Sequence, residues 1–188
     1  MPRPPAGVAQ SPRQPGGVPV RIAVISDTHL QDAAQAEELL WGHLYGVDAI
    51  LHAGDVVTEE VIDLLERIAP VYGVAGNMDG PAVRRRWPTE RLLEFGRFRI
   101  GLTHGSGPPL GLPGRVRRQF ATVPEGVDAI VFGHSHQPGI EEQAGVLLIN
   151  PGSPTDRRYA PYCSYCLLEL GTHLTPQLVR LGAPAAAD

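Results

Sequence analysis

Short apolar runs recur along the chain, and each gives way at once to polar, glycine-containing residues. Residues 22–25 run into Ser26-Asp27-Thr28-His29, residues 49–51 into His52-Ala53-Gly54-Asp55, and residues 71–75 into Gly76-Asn77. The pattern continues from 99–102 into Thr103-His104-Gly105, from 129–132 into Gly133-His134-Ser135-His136, and from 146–149 into Asn150-Pro151-Gly152-Ser153. Continuous runs rich in β-branched residues read as strands buried on both faces. Two helices fit between the first three strands. Asp32 can cap one carrying Ala33, Ala36, Leu40 and Leu44, and Thr58 another carrying Val61, Leu65 and Ile68 and stopped by Pro70. The order β-α-β-α-β predicts a right-handed, parallel beginning. Residues 92–95 and 98–102 then meet at Gly96-Arg97 like a hairpin, and strand-like runs around 139–149, 163–170 and 174–180 follow with little helix between them. That change of character predicts a second, more antiparallel sheet. The expected fold is a layered α/β sandwich in one domain over 18–181, since no long Pro/Gly linker and no repeat of solenoid length interrupts it.

Composition narrows the chemistry. The chain has 188 residues, 43% of them hydrophobic, enough for one sizeable core and too apolar for a disordered or fibrous chain. All sixteen basic residues are Arg, so a Walker-type phosphate loop, a Schiff-base lysine and a kinase lysine are excluded. A net charge of −4 provides no basic footprint for nucleic acid. Residues 1–17 hold five Pro and three Gly and read as a disordered leader; 182–188 read as a frayed tail. No apolar run approaches the ~20 residues needed to cross a bilayer, so the expectation is no membrane partner and a cytoplasmic location. Cys163 and Cys166 spell CxxC within a strand-like run, where positions three apart face opposite ways, which argues against a redox pair. No further Cys or His with finger-like spacing completes a zinc knuckle.

In α/β sheets, ligands bind outside the carboxyl ends of the strands. Those ends hold Asp27, His29, Asp55, Asn77, His104, His134 and His136, a mixed nitrogen and oxygen set suited to Mn, Fe, Ni, Co or Zn and free of thiolate. Seven side chains exceed what one tetrahedral ion takes. With one carboxylate bridging, they make two ions with four protein ligands each, the two-metal arrangement of phosphatases and nucleases.

Five blocks in order, Asp27-Thr28-His29, Gly54-Asp55, Gly76-Asn77-Met78-Asp79, His104-Gly105 and Gly133-His134-Ser135-His136, resemble the calcineurin-like metallophosphoesterases, and within them the small single-domain YfcE-type phosphodiesterases. The resemblance spans about residues 20 to 180 and takes in Asn150-Pro151-Gly152-Ser153. It implies a four-layer αββα sandwich of two mixed sheets flanked by helices. Carried over by position, Asp27, His29 and His136 hold a first metal, Asn77, His104 and His134 a second, and Asp55 bridges. The implied cofactors are two divalent transition-metal ions, Mn first, with Ni, Co, Fe or Zn as alternatives. The implied reaction is hydrolysis of a small phosphodiester by a hydroxide held between the ions, with His104 and His134 among the groups that absorb charge on the phosphoryl oxygens. One position departs from the phosphatase pattern: Met78 stands where a leaving-group His is usual, and a thioether cannot donate a proton. A retromer subunit of the vacuolar-sorting type shares the fold and lacks the same His, so a metal-binding scaffold or interaction module is the rival reading.

The remaining candidates carry less. His52 is expected as a strand-end residue or a hydrogen-bond partner of a ligand, His43 and His173 as surface residues, and Asp79 as a group orienting the Asn77 loop. Arg84, Arg85 and Arg86, next to Trp87, reach substrate phosphate or are a solvated charge run, and Arg157 with Arg158 stands similarly. Residues 105–114 are expected as a flexible loop beside the site. Natural substrate and homo-oligomerisation stay open at this point.

Overall fold

A computed structural model describes residues 9–10 and 19–182. The leader expected over 1–17 and the tail over 182–188 therefore fall outside the described residues, except for Gly182 and Ala9–Gln10, which form the short strand β1. The predicted opening follows in order: β2 (Val20–Ile25), α1 (Ala33–Leu44), β3 (Ala49–His52), α2 (Glu59–Ile68) and β4 (Val71–Gly73). The strands β2, β3 and β4 pair in parallel, Ile22 beside Ala49 and Ile50 beside Val71. Asp32 caps α1, its carboxylate accepting from the Ala34 amide at 2.8 Å. Thr58 occupies the N-cap position of α2 but makes no capping bond, and its buried hydroxyl has no partner among the described residues.

The second half holds α3 (Pro81–Arg86), β5 (Glu90–Phe95), β6 (Phe98–Thr103), α4 (Leu112–Gln119), β7 (Ala129–Val131), β8 (Gly139–Gln143), β9 (Val146–Asn150), β10 (Ser164–Leu170) and β11 (Leu174–Arg180). The hairpin of β5 and β6 closes at Gly96-Arg97 as expected. A six-stranded mixed sheet runs β1-β5-β6-β7-β9-β8 and a five-stranded one runs β11-β10-β2-β3-β4. The last point corrects the sequence expectation: β10 and β11 return to the first sheet, β10 lying antiparallel to β2 with Leu168 opposite Ile22. Their alternation suits either sheet, and only the free edge of β2 decides which one they join.

Alternation along each strand divides the core into three. Ala23, Ile25 and Ile50 face Leu40, Leu44, Ile62 and Leu65 of α1 and α2. Ile22, Val24 and Leu51 face the other sheet, where Ile100, Leu102, Val131 and Ile149 meet them. On its far side Ile130 and Leu148 pack under Leu112, Val116 and Phe120 of α4. The layers are thus helix, sheet, sheet, helix, the four-layer αββα sandwich. Two helices escape the sequence reading. Each carries a proline at its first or second position, and α3 is six residues of which three are Arg. Residues 112–114 of the loop expected beside the site belong to α4. Cys166 is buried between the sheets and Cys163 packs toward the helical layer, both as free thiols, so the CxxC pair does face two ways. Burial pushes the Cys166 thiol up to about 12.

Candidate metal centre

The strand ends turn inward through an unusual backbone. Asp27, His29, Asp55, His134 and His136 all have left-handed φ, between 49° and 72°. For residues with a side chain this region costs of order 1–3 kcal/mol each and persists only where the surroundings enforce it. Cross-strand bonds do so here: the Asp27 amide donates to the Gly54 carbonyl at 2.9 Å, His29 to Asp55 at 3.2 Å, and Gly133 to His104 at 3.2 Å. Two glycines are needed where loops meet carboxylates. A Cβ on Gly76 would strike the Asp55 carboxylate, and one on Gly133 the Ser26 hydroxyl and the Asp27 carboxylate.

Asp27 and Asp55 each spend one oxygen on a backbone amide and leave the other facing a common centre. Asp27 Oδ2 accepts from the His134 amide at 3.0 Å, and Oδ1, fully buried, has no hydrogen-bond partner among the described residues. It lies 3.3 Å from His136 Nε2, 3.9 Å from His29 Nε2 and 4.0 Å from His104 Nε2. Asp55 Oδ1 accepts from the Met78 amide at 2.7 Å, and Oδ2 stands 3.3 Å from His104 Nε2 and 3.9 Å from His29 Nε2.

Three imidazoles are oriented by backbone carbonyls. His104 Nδ1 donates to Ala53, His134 Nε2 to Gly107 and His136 Nδ1 to Asp156. Since a carbonyl only accepts, the outer nitrogen carries the proton and the inner one, when the ring is neutral, presents a lone pair. The inner nitrogens of His104 and His134 lie 3.0 and 2.9 Å from Asn77 Oδ1, and those of His29 and His136 lie 3.2 Å apart. Acceptors converging on acceptors repel unless a cation stands among them. Metal-bound histidines characteristically donate their other N–H in this way. The donor set therefore fits divalent cations, with Asp27, His29 and His136 gathered in one group and Asp27, Asp55 and His104 in another.

The charges respond to one another. Burial alone raises the Asp27 and Asp55 carboxyls, but the imidazoles of His136 and His104 beside them, with the Met78 amide on Asp55, outweigh it and hold both below the ordinary carboxylate value. Burial alone lowers His104 and His136, and the same two aspartates more than compensate, raising both. His29 stays lowered by burial. The carboxylates thus hold protons on imidazole where a metal would compete for the same lone pairs.

Around this centre the other candidates separate. Asp79 clamps the loops, accepting from the amides of Asp55, Val57 and Gly76 at 3.0, 2.7 and 2.7 Å. His52 is wholly buried, accepting from the Gly54 amide and bonded to Thr28 Oγ1 at 3.2 Å, and burial lowers it to about 4. Arg84 binds the carbonyls of Gly76, Asn77 and Asp79, so its guanidinium braces the Asn77 loop, and it lines a cavity of about 310 Å³ with Asn77 and His104. Arg86 is held away on α2 by Asp63 and Glu66. Arg85 is exposed, and Arg157 donates to the Pro161 carbonyl. Met78 is 57% exposed beside Asn77. The sequence reading missed Thr155, whose hydroxyl donates to the Thr28 carbonyl at 2.6 Å, and the carbonyls that orient the histidines. Backbone acceptors carry no residue-type signal.

A family model for the calcineurin-like phosphoesterase superfamily domain matches residues 20–173. A protein of Methanothermobacter thermautotrophicus named "probable metallophosphoesterase" is 39% identical over 168 residues, 87% of this chain and 94% of its own. A Streptococcus pneumoniae protein described as a predicted phosphoesterase superposes with a TM-score of 0.65 at 25% identity, covering 88% of this chain and 91% of that one. Vps29 of Entamoeba histolytica, crystallised with Zn²⁺, superposes at 0.60 and 23% identity over 85% of this chain and 98% of its own, a likeness of fold.

Proposed function

The chain belongs to the calcineurin-like phosphoesterase superfamily, and from that premise we propose that it is a metal-dependent hydrolase of phosphate esters whose substrates are diesters. Asp27, His29 and His136 would hold one divalent ion, Asn77, His104 and His134 a second, and Asp55 would bridge, with Mn the first choice of metal. The observation that supports this most is the inward convergence of lone pairs on imidazoles whose outer N–H groups are tied to backbone carbonyls. Bound divalent ions supply Lewis-acid stabilisation of the phosphoryl group and activation of water. The chain's own part is positional. Asp27 and Asp55 stay ionised, the carbonyls of Ala53, Gly107 and Asp156 fix the ring orientations, and Asp79 with Arg84 holds Asn77 in place. The thioether of Met78 would offer no proton to a leaving group beside it, which would favour diesters with stable departing alkoxides over alkyl monoesters.

Elemental analysis with hydrolysis assays tests the reading. Asp55→Ala should lose both metals and all activity, Asp27→Ala chiefly the first metal and Asn77→Ala chiefly the second. Full loading in Asp55→Ala overturns the bridge. Metal-loaded protein should cleave an activated aryl phosphodiester, stop on addition of a chelator and recover with Mn. The scaffold reading is favoured by the thioether at Met78 and by a fold shared with Vps29; fully loaded protein that turns over no diester and retains a protein partner would decide for it.

A further inference from the structure

Beside the cluster lies a second cavity, about 570 Å³, between the segment that opens α4 and strand β8. Its size falls in the range of small-molecule sites. Leu112, Phe132 and Leu148 form its buried wall, Pro113 and Pro138 extend it, and Ile140, 37% exposed, stands at its rim. Polar residues on its other side adjoin the candidate ligands in the chain. Ser135, between His134 and His136, and Asn150 line it, bonded to each other at 3.1 Å, and Asn150 also donates to the Gly133 carbonyl. The loop on the α4 side is tied to the same centre, since Gly107 accepts from His134. The lining contains no Arg and only one ionisable group, the carboxylate of Glu141. Such a wall repels a second phosphate and offers nothing to a polyanion, while its apolar face rewards removal of hydrocarbon from water. The cavity beside Asn77 and His104 is of the other kind, lined by Arg84, Thr89, Thr103, Ser106 and Gln119.

Resting on the phosphodiesterase reading, we infer that the 570 Å³ cavity is the subsite for an apolar alkyl or aryl substituent of the diester, so that the substrates carry one apolar alcohol and are not nucleotide polymers. The polar cavity takes the other, hydroxyl-bearing or otherwise polar alcohol.

The test is a series of p-nitrophenyl alkyl phosphodiesters, methyl to octyl, with metal-loaded full chain. The expected result is kcat/KM rising by about fourfold per added methylene until the chain fills the cavity, with Ile140→Glu flattening the slope. A readout independent of turnover accompanies it. In metal-free protein, hexan-1-ol but not ethanol should shift the methyl resonances of Ile140, Leu112 and Leu148. Turnover with no dependence on chain length, or hexanol shifts confined to other parts of the molecule, overturns the subsite alone. No turnover of any member at full metal loading removes the phosphodiesterase reading and the subsite with it, which keeps the two failures distinguishable.

Discussion

At the scale of single residues, the centre depends as much on what is missing as on what is present. Gly76 has no side chain where a methyl would collide with the Asp55 carboxylate. Gly76→Ala should therefore displace Asp55 and weaken metal binding by about 10–100-fold, the usual cost of losing a group that orients a ligand; isothermal titration with Mn measures it. Met78 is the opposite case, an exposed side chain with room for replacement. A His there can protonate or hydrogen-bond a departing oxygen, an effect worth ~10²–10⁴ in rate. Met78→His should raise monoester cleavage and flatten its dependence on leaving-group pKa. Equal slopes at equal metal content would show that residue 78 does not stand at the leaving group. The seven ligand-type residues were legible because strand-end Asp, His and Asn at these spacings have few other uses. The left-handed backbone of five of them was not, since φ follows from hydrogen bonds with loops more than twenty residues away.

At the scale of elements, α4 shows how packing creates structure that local pattern does not announce. Its sequence, LPGRVRRQ, has a proline and a glycine in eight residues, poor material for a helix. It forms because Leu112, Val116 and the flanking Phe120 cover Ile130 and Leu148 on the outer face of the six-stranded sheet. The Phe120 ring lies directly over Gly101 of β6, where a Cβ would meet it at 2.9 Å. Phe120→Ala should cost about 3–4 kcal/mol of unfolding free energy, measured in urea, as a buried aromatic is lost and a void remains. Gly101→Ala should destabilise the wild-type protein by overpacking but not the Phe120→Ala variant, where its methyl enters the void. Additive effects in that double-mutant cycle would show that the two positions are not in contact. The helices α1 and α2 were legible for the opposite reason: each has a cap-type residue at its N-cap position and helical spacing of apolar side chains, and α2 is stopped by Pro70.

At the scale of the molecule, two sheets meet so that ligand-type side chains from five segments share one centre, and stability depends on what cation fills it. For His104 and His136 the folded value is raised above the unfolded 6.5. Their ion-pair stabilisation of the metal-free chain is thus complete below pH 6.5 and lost as pH rises through the raised values. His29 and His52, lowered instead, subtract stability as pH falls below 6.5. The loss caused by His104→Gln in chelator should accordingly be greater at pH 6 than at pH 8.5. Metal competes for the same lone pairs, so its stabilisation should run the other way, larger at pH 8 than at pH 6. At 100 times the dissociation constant, the gain should approach about 5–10 °C in Tm by scanning calorimetry. A metal-induced shift independent of pH would show that no proton is displaced. The parallel opening, the hairpin, both long helices and every ligand-type residue were determined by the sequence itself, because periodicity, caps and strand-end chemistry are local properties. The return of β10 and β11 to the first sheet, the helix α4, the partners that hold Arg84 and Arg86, and the choice of inner and outer ring nitrogens were decided only by tertiary structure. Each depends on which edge, face or carbonyl lies within reach across the fold, a contact between segments far apart in the chain that no stretch of sequence contains.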